Sequence, residues 1–150
     1  MTTDPAPIIA HLPTLNGAIK VQFAPTEAPS SIFTPTCSLK AHGVDGFLAS
    51  LITSEISDLA RAVAMIQEVA DSQESDEAKI LGFHFEGPCL AHERRGVHSP
   101  SLLRNPEPSL ISELLDFPNV KMITLAPELP GGPENLHQLF YSLSHPIVSL

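Results

Sequence analysis

Ile80-Leu81-Gly82-Phe83-His84-Phe85-Glu86-Gly87-Pro88 is an apolar run of strand length that ends on a Gly-Pro break. Side chains alternate along a strand, so His84 and Glu86 share one face while Phe83 and Phe85 share the other. With the phenylalanines packed against flanking helices, the histidine and the glutamate face the inside of a sheet or barrel. Glu86 is then the last residue before the ladder stops. In a parallel barrel this puts a carboxylate at the C-terminal rim, where active sites are built. A carboxylate there needs a partner, because an unpaired buried charge is very costly. A metal ion or a basic side chain would each serve. A rim glutamate paired with an arginine, above a histidine satisfied in the core, stays open as the plainer alternative.

Outward from this strand the chain alternates. Upstream, Phe47–Thr53 is a second apolar run, and Thr53 or Ser54 offers an N-cap to a following helix over 55–70. Ile56, Leu59, Val63, Ile66 and Val69 recur there at spacings of three and four, the period of an amphipathic helix that fades near Asp71. DSQESDE, 71–77, reads as a solvated acidic connector. Downstream, residues 87–107 form a long polar loop and Ser109 can cap a short helix through Asp116. Val120–Ala126 is a third strand, stopped by Pro127, and Gly132-Pro133 opens another helix. Ile147–Leu150 begins a further strand. Strand and helix alternating in this way argue parallel βα units. Ending inside a strand reads as a cut chain.

The first segment differs in texture. Six of the fifteen prolines precede residue 37, so that region is expected to be extended or turn-rich, with a short strand at Ile19–Phe23. Residues 1–45 are therefore set apart as a Pro-rich segment with a first strand and an Asn-Gly loop, and 46–150 as the partial barrel.

Composition bounds the partners. A length of 150 residues suits one domain, and 43% apolar residues are too many for a disordered chain. A net charge of −9 argues against nucleic acid, whose phosphates need a basic surface. No apolar run approaches the roughly 18 residues that span a bilayer, so no membrane partner is expected. The N-terminal MTTDPAPIIAHL shows no basic start and no long apolar core, and Cys37 and Cys89 make no disulfide framework; a cytoplasmic location follows as the default.

Within this acidic chain, three of the eight Lys and Arg residues, Arg94, Arg95 and Arg104, cluster in or just after the loop His92-Glu93-Arg94-Arg95-Gly96-Val97-His98-Ser99-Pro100. Positive charge above a carboxylate rim suits an anionic or carbonyl-bearing substrate. His98 could donate a hydrogen bond to a reacting carbonyl; an exposed loop of scattered charges is the plain alternative. Asn16-Gly17 reads first as a turn. Cys89 is more simply a structural thiol than a nucleophile, and His137 and His145 read as incidental. P-loop, GxSxG, CxxC and HExxH signatures are absent.

LGFHFEGPCL, then RRGVHSP, then LLRNPEP, then VKMITLAPE, in this order and spacing, resembles N-acetylglucosamine-6-phosphate deacetylase of the amidohydrolase superfamily. GFLASLIT resembles the preceding strand of that family, and Asn16-Gly17 with Val21-Gln22-Phe23 its first strand end and Asn-Gly loop. The resemblance spans about residues 12 to 150 and is strong from Gly46. It implies a metal-dependent (β/α)₈ TIM-type barrel that hydrolyses the N-acetyl group of an amino-sugar phosphate to glucosamine 6-phosphate and acetate. By residue match, Glu86 is a ligand to a divalent ion, zinc or iron, and His98 contacts the substrate carbonyl. Asn16 and Gly17 match a substrate-binding loop.

Two positions depart from the family pattern: Thr14 stands where relatives carry His or Gln near the metal, and Leu12 replaces an Asp. The family's other metal-ligand histidines and its proton-handling aspartate come later than Leu150. A full barrel takes about 250 residues, or roughly 31 per βα unit, so 150 residues supply the first four to five units of an incomplete (β/α)₈ barrel. The expectation is an α/β chain with an incompletely liganded metal site that is inactive alone. Self-association, completion by a second chain, and a non-catalytic binding or scaffold remnant are the alternatives.

Overall fold

The computed structural model describes residues 19–23, 30–141 and 146–150. Five strands, β1 (Ile19–Phe23), β2 (Gly46–Ile52), β3 (Lys79–Glu86), β4 (Val120–Thr124) and β5 (Ile147–Ser149), form one sheet in sequence order. Every neighbouring pair is parallel. Helices α1 (Ser30–Ala41), α2 (Ile56–Asp71), α3 (Pro108–Leu115) and α4 (Gly132–Phe140) fill the connections. This is an open parallel α/β sheet, consistent with part of a TIM-type barrel, with β1 and β5 at its edges.

The alternation in β3 sets the layers. Phe83 and Phe85 are buried together with Phe47, Ala49 and Leu51 of β2 and Val120 and Ile123 of β4. Leu59, Val63 and Ile66 of α2 and Leu110, Ile111 and Leu114 of α3 complete that core, and Phe85 meets Phe117 edge-on at 5.2 Å between ring centroids. On the opposite face the register aligns Ser50 with His84, His84 with Met122, and Ile52, Glu86 and Thr124 across three strands. Leu48, Ile52 and Met122 on this inner face are only half-buried.

Two bulges keep that alignment. Leu81 is passed over where Phe47 pairs with Ile80 and Leu48 with Gly82, and Lys121 is passed over between Phe83 and His84. Gly82 is required at the first of these: its φ is +148°, and a Cβ there would run into the Asn119 carbonyl and the Lys121 side chain.

Three expectations are corrected. The region before residue 37 is not all extended or turn-rich, because α1 runs through Pro35. Proline removes one helical hydrogen bond there, but tertiary contacts anchor the second half of α1: Thr36 and Leu39 are buried, and Thr36 Oγ1 donates to the buried Glu77 carboxylate at 2.6 Å. Neither Thr53 nor Ser54 caps α2; Glu55 holds the N-cap position without a side-chain bond. Ser109 does not cap α3, which starts on Pro108 after Glu107; proline at the first helical position forfeits no bond. The strand at Ile19–Phe23 forms as expected, and it pairs with β2. Glu77, in the segment read as a solvated connector, is buried rather than solvated.

Candidate functional site

Glu86 closes β3, and its backbone leads straight into the loop over residues 87–107. Gly87 turns the chain with φ +83°, and its N–H donates to the Thr124 carbonyl at 3.1 Å. The loop is pinned back on the sheet: Ala126 N–H donates to the Cys89 carbonyl at 2.7 Å and Arg104 N–H to the Pro88 carbonyl at 3.1 Å. Its far side folds into a short turn in which His98 N–H donates to the Arg95 carbonyl and Arg95 Nη1 donates back to the His98 carbonyl, at 3.1 and 3.0 Å. That turn delivers His98 into the sheet end, where its side chain is 5% exposed.

His98 Nε2 stands 3.9 Å from Glu86 Oε1, whose side chain is 31% exposed. The separation is too long for a direct hydrogen bond and within reach of an ion pair when the imidazole is protonated. Burial pushes the His98 imidazole below its usual value, against the pull of the Glu86 carboxylate. Burial therefore favours the uncharged ring, in which one nitrogen donates and the other accepts.

His84 lies one layer deeper on the same face. It is fully buried, with Nδ1 2.8 Å from Ser50 Oγ and Nε2 2.8 Å from Thr124 Oγ1. Hydroxyls on the two flanking strands thus satisfy both ring nitrogens, which is the core-histidine alternative. Among the described residues no arginine pairs with Glu86; the basic side chain that faces it is the His98 imidazole, at 3.9 Å.

The other candidates are dispersed. Asn16 and Gly17, with Thr14, Leu12 and His145, lie outside the described residues. Cys89 is buried and its thiol is pushed up to about 12 by burial, with Arg104 opposing; at neutral pH it is a protonated thiol, not a nucleophile. His137 is exposed and stacks on Tyr141, ring centroids 4.3 Å apart. Among the basic residues, Arg95 is spent on the loop itself, and Arg94 and Arg104 are exposed.

Among the described residues, no three His, Cys, Asp or Glu side chains come together as a group that could hold a metal ion. A catalytic ion takes three protein ligands and one open position. Glu86 and His98 fall short of that set, so these residues alone do not make a metal centre. No helix among the described residues is long and apolar enough to cross a membrane.

Sequence reading missed Thr53, which is buried against both candidates. Its main-chain N–H points at His98 Nδ1 at 3.3 Å, and its Oγ1 lies 2.8 Å from the same nitrogen and 3.3 Å from the Glu86 carbonyl. The available signal was its position one residue past Ile52, which pairs with Glu86.

No family model matches the sequence. Comparison with single proteins is informative. The chain is 31% identical over 147 residues to N-acetylglucosamine-6-phosphate deacetylase of Homo sapiens, covering 91% of this chain and 36% of that protein. It is 35% identical over 108 residues to N-acetylgalactosamine-6-phosphate deacetylase of Shewanella sp. (strain ANA-3), covering 69% and 26% respectively. Among solved structures it superposes on the D267A mutant of N-acetyl-D-glucosamine-6-phosphate deacetylase from Mycobacterium smegmatis, in complex with N-acetyl-D-glucosamine-6-phosphate. There the TM-score is 0.68 at 31% identity, over 79% of this chain and 30% of that one. The chain spans about a third of the length of the curated relatives it matches.

Proposed function

We propose, from the premise that this chain is homologous to the N-acetylglucosamine-6-phosphate deacetylases, that it forms one wall of an amide-hydrolysing site for an N-acetylated amino-sugar 6-phosphate. The observation that carries the reading is the Glu86–His98 pair, brought to 3.9 Å at the C-terminal end of β3 from two separate motifs. In this reading His98 Nε2–H donates to the acetyl carbonyl. A neutral, buried imidazole suits that role, because it polarises the carbonyl without drawing a counter-ion into the site.

Glu86 supplies one carboxylate ligand to a divalent ion, zinc or iron. Among the described residues no group of three His, Cys, Asp or Glu forms around it, and in this reading the remaining ligands and the proton-handling acid come from outside them. Asn16 and Gly17 bind the sugar. The 150 residues by themselves do not release acetate; a complementing chain or self-assembly is required. The proposed compartment is the cytoplasm, where a sugar phosphate is at hand.

Ligand titration tests the reading. Adding N-acetylglucosamine 6-phosphate with zinc to the isotope-labelled chain moves the His98 ring signals and the amide signals of Glu86, Gly87, Cys89 and Arg94–His98. Glu86→Gln removes the zinc-dependent part. No response at this rim, or one spread over the helices, would contradict it.

A further inference from the structure

We propose that Thr53 is a positioning residue that fixes the ring of His98 with its proton on Nε2, a role resting on the deacetylase reading only for its purpose and not for its geometry. The Thr53 main-chain N–H, which can only donate, lies 3.3 Å from His98 Nδ1. That nitrogen must therefore present its lone pair. At the other end of the ring, Nε2 faces the Glu86 carboxylate, an acceptor, at 3.9 Å. The opposite tautomer would let Nδ1–H donate to Thr53 Oγ1 at 2.8 Å, but it would set N–H against N–H at the Thr53 main chain and a lone pair against a carboxylate at Nε2. Both ends of the ring thus select the same proton position.

The Thr53 hydroxyl adds orientation. Oγ1 sits 2.8 Å from Nδ1 and 3.3 Å from the Glu86 main-chain carbonyl, so one side chain touches the backbone that carries the carboxylate and the ring that faces it. Gly87 makes room for this contact, because a Cβ at that position would collide with Thr53 Oγ1. Thr53 is 4% exposed and His98 is 5% exposed, so solvent does not compete for Nδ1. A donor aimed from Nε2 is what a developing negative charge on a carbonyl oxygen needs, and a ring free to swap tautomers would present it only part of the time.

Nitrogen NMR of the ring tests this without metal or sugar. The folded chain is ¹⁵N-labelled at histidine and held well above the imidazole titration range, with His98 assigned by its loss in His98→Gln. The expected spectrum shows a pyridine-type Nδ1 and a pyrrole-type Nε2. Thr53→Val keeps the main-chain N–H, so the Nε2–H tautomer persists, but it removes the hydroxyl beside Nδ1 and shifts the Nδ1 resonance, and Thr53→Ser restores the parent pattern. A pyrrole-type Nδ1 in the parent, or a folded Thr53→Val spectrum identical to the parent, would overturn the proposal. Should Thr53→Val not fold, the parent tautomer and the Thr53→Ser spectrum decide. Because no ligand is added, a correct tautomer beside a rim that ignores the sugar would sink the deacetylase reading and leave the positioning role standing.

Discussion

Thr36 Oγ1 donates to Glu77 Oε1 at 2.6 Å, linking α1 to the turn that enters β3. The second carboxylate oxygen accepts the Glu74 N–H at 2.7 Å. This buried clamp sits at the end of the sheet away from Glu86, and it ties a proline-bearing helix to the strand that carries the site. The Thr36 hydrogen bond holds the Glu77 carboxyl below its ordinary value of 4.5, over the opposing effect of burial.

The sign of the resulting pH dependence follows from linkage. A carboxyl that is more acidic in the folded chain than in the unfolded one stabilises the fold above its unfolded value. That contribution is lost as pH falls through the lower folded value. Thermal unfolding followed from neutral pH into acid should therefore show a melting temperature that declines below about pH 4.5, the ordinary carboxyl value. Thr36→Val should flatten the decline and cost roughly 1.5–3 kcal/mol at neutral pH, the range for a hydrogen bond to a charged group.

Phe85 is 1% exposed and packs edge-on against Phe117. Phe85→Ala should cost about 3–5 kcal/mol in urea unfolding, the cavity and transfer cost of a buried aromatic side chain. A loss near zero would mean that this face does not pack under α2 and α3.

Gly87→Ala combines two penalties. A left-handed φ costs a residue with a Cβ roughly 1–2 kcal/mol, and the new carbon displaces Thr53 Oγ1. Besides the lower stability, hydrogen exchange at the Thr53 amide should accelerate, because its acceptor on His98 moves away. Unchanged exchange at that amide would count against the contact.

The sheet edges and the inner face should drive self-association. Ile147 and Leu150 are 61% and 72% exposed at the β5 side, and a parallel strand edge offers unpaired N–H and C=O groups. Light scattering should show oligomers growing with concentration, and Ile147→Lys should reduce them. A stable monomer at high concentration would contradict this.

The central strands were legible because buried parallel strands are continuous apolar runs ended by breakers; the expected Phe47–Thr53 matches β2 up to Ile52, one residue short of its expected end, and Ile80–Phe85 lies inside β3. Helix α2 followed from its period of 3.6. Helix α1 did not, because proline content argued against it and the burial of Thr36 against Glu77 depends on a contact far along the chain. Thr53 was misread for a similar reason. A threonine just before a helix looks like a cap, and only strand register shows that it faces Gly87 and the returning loop. Glu86 and His98 were each visible as candidates, but their pairing depends on how the loop over residues 87–107 folds back. The choice between arginine, metal and histidine as the partner of Glu86 could not be made from spacing.

The most direct test of the central claim is acetate release from N-acetylglucosamine 6-phosphate by the purified 150-residue chain with added zinc, run beside Glu86→Ala. General acid–base help alone is worth roughly 10²–10⁴-fold in rate, and the described residues hold no three-ligand group for the ion. The prediction is equal background for both proteins. Turnover in the parent that disappears in Glu86→Ala would show a complete site and contradict the account.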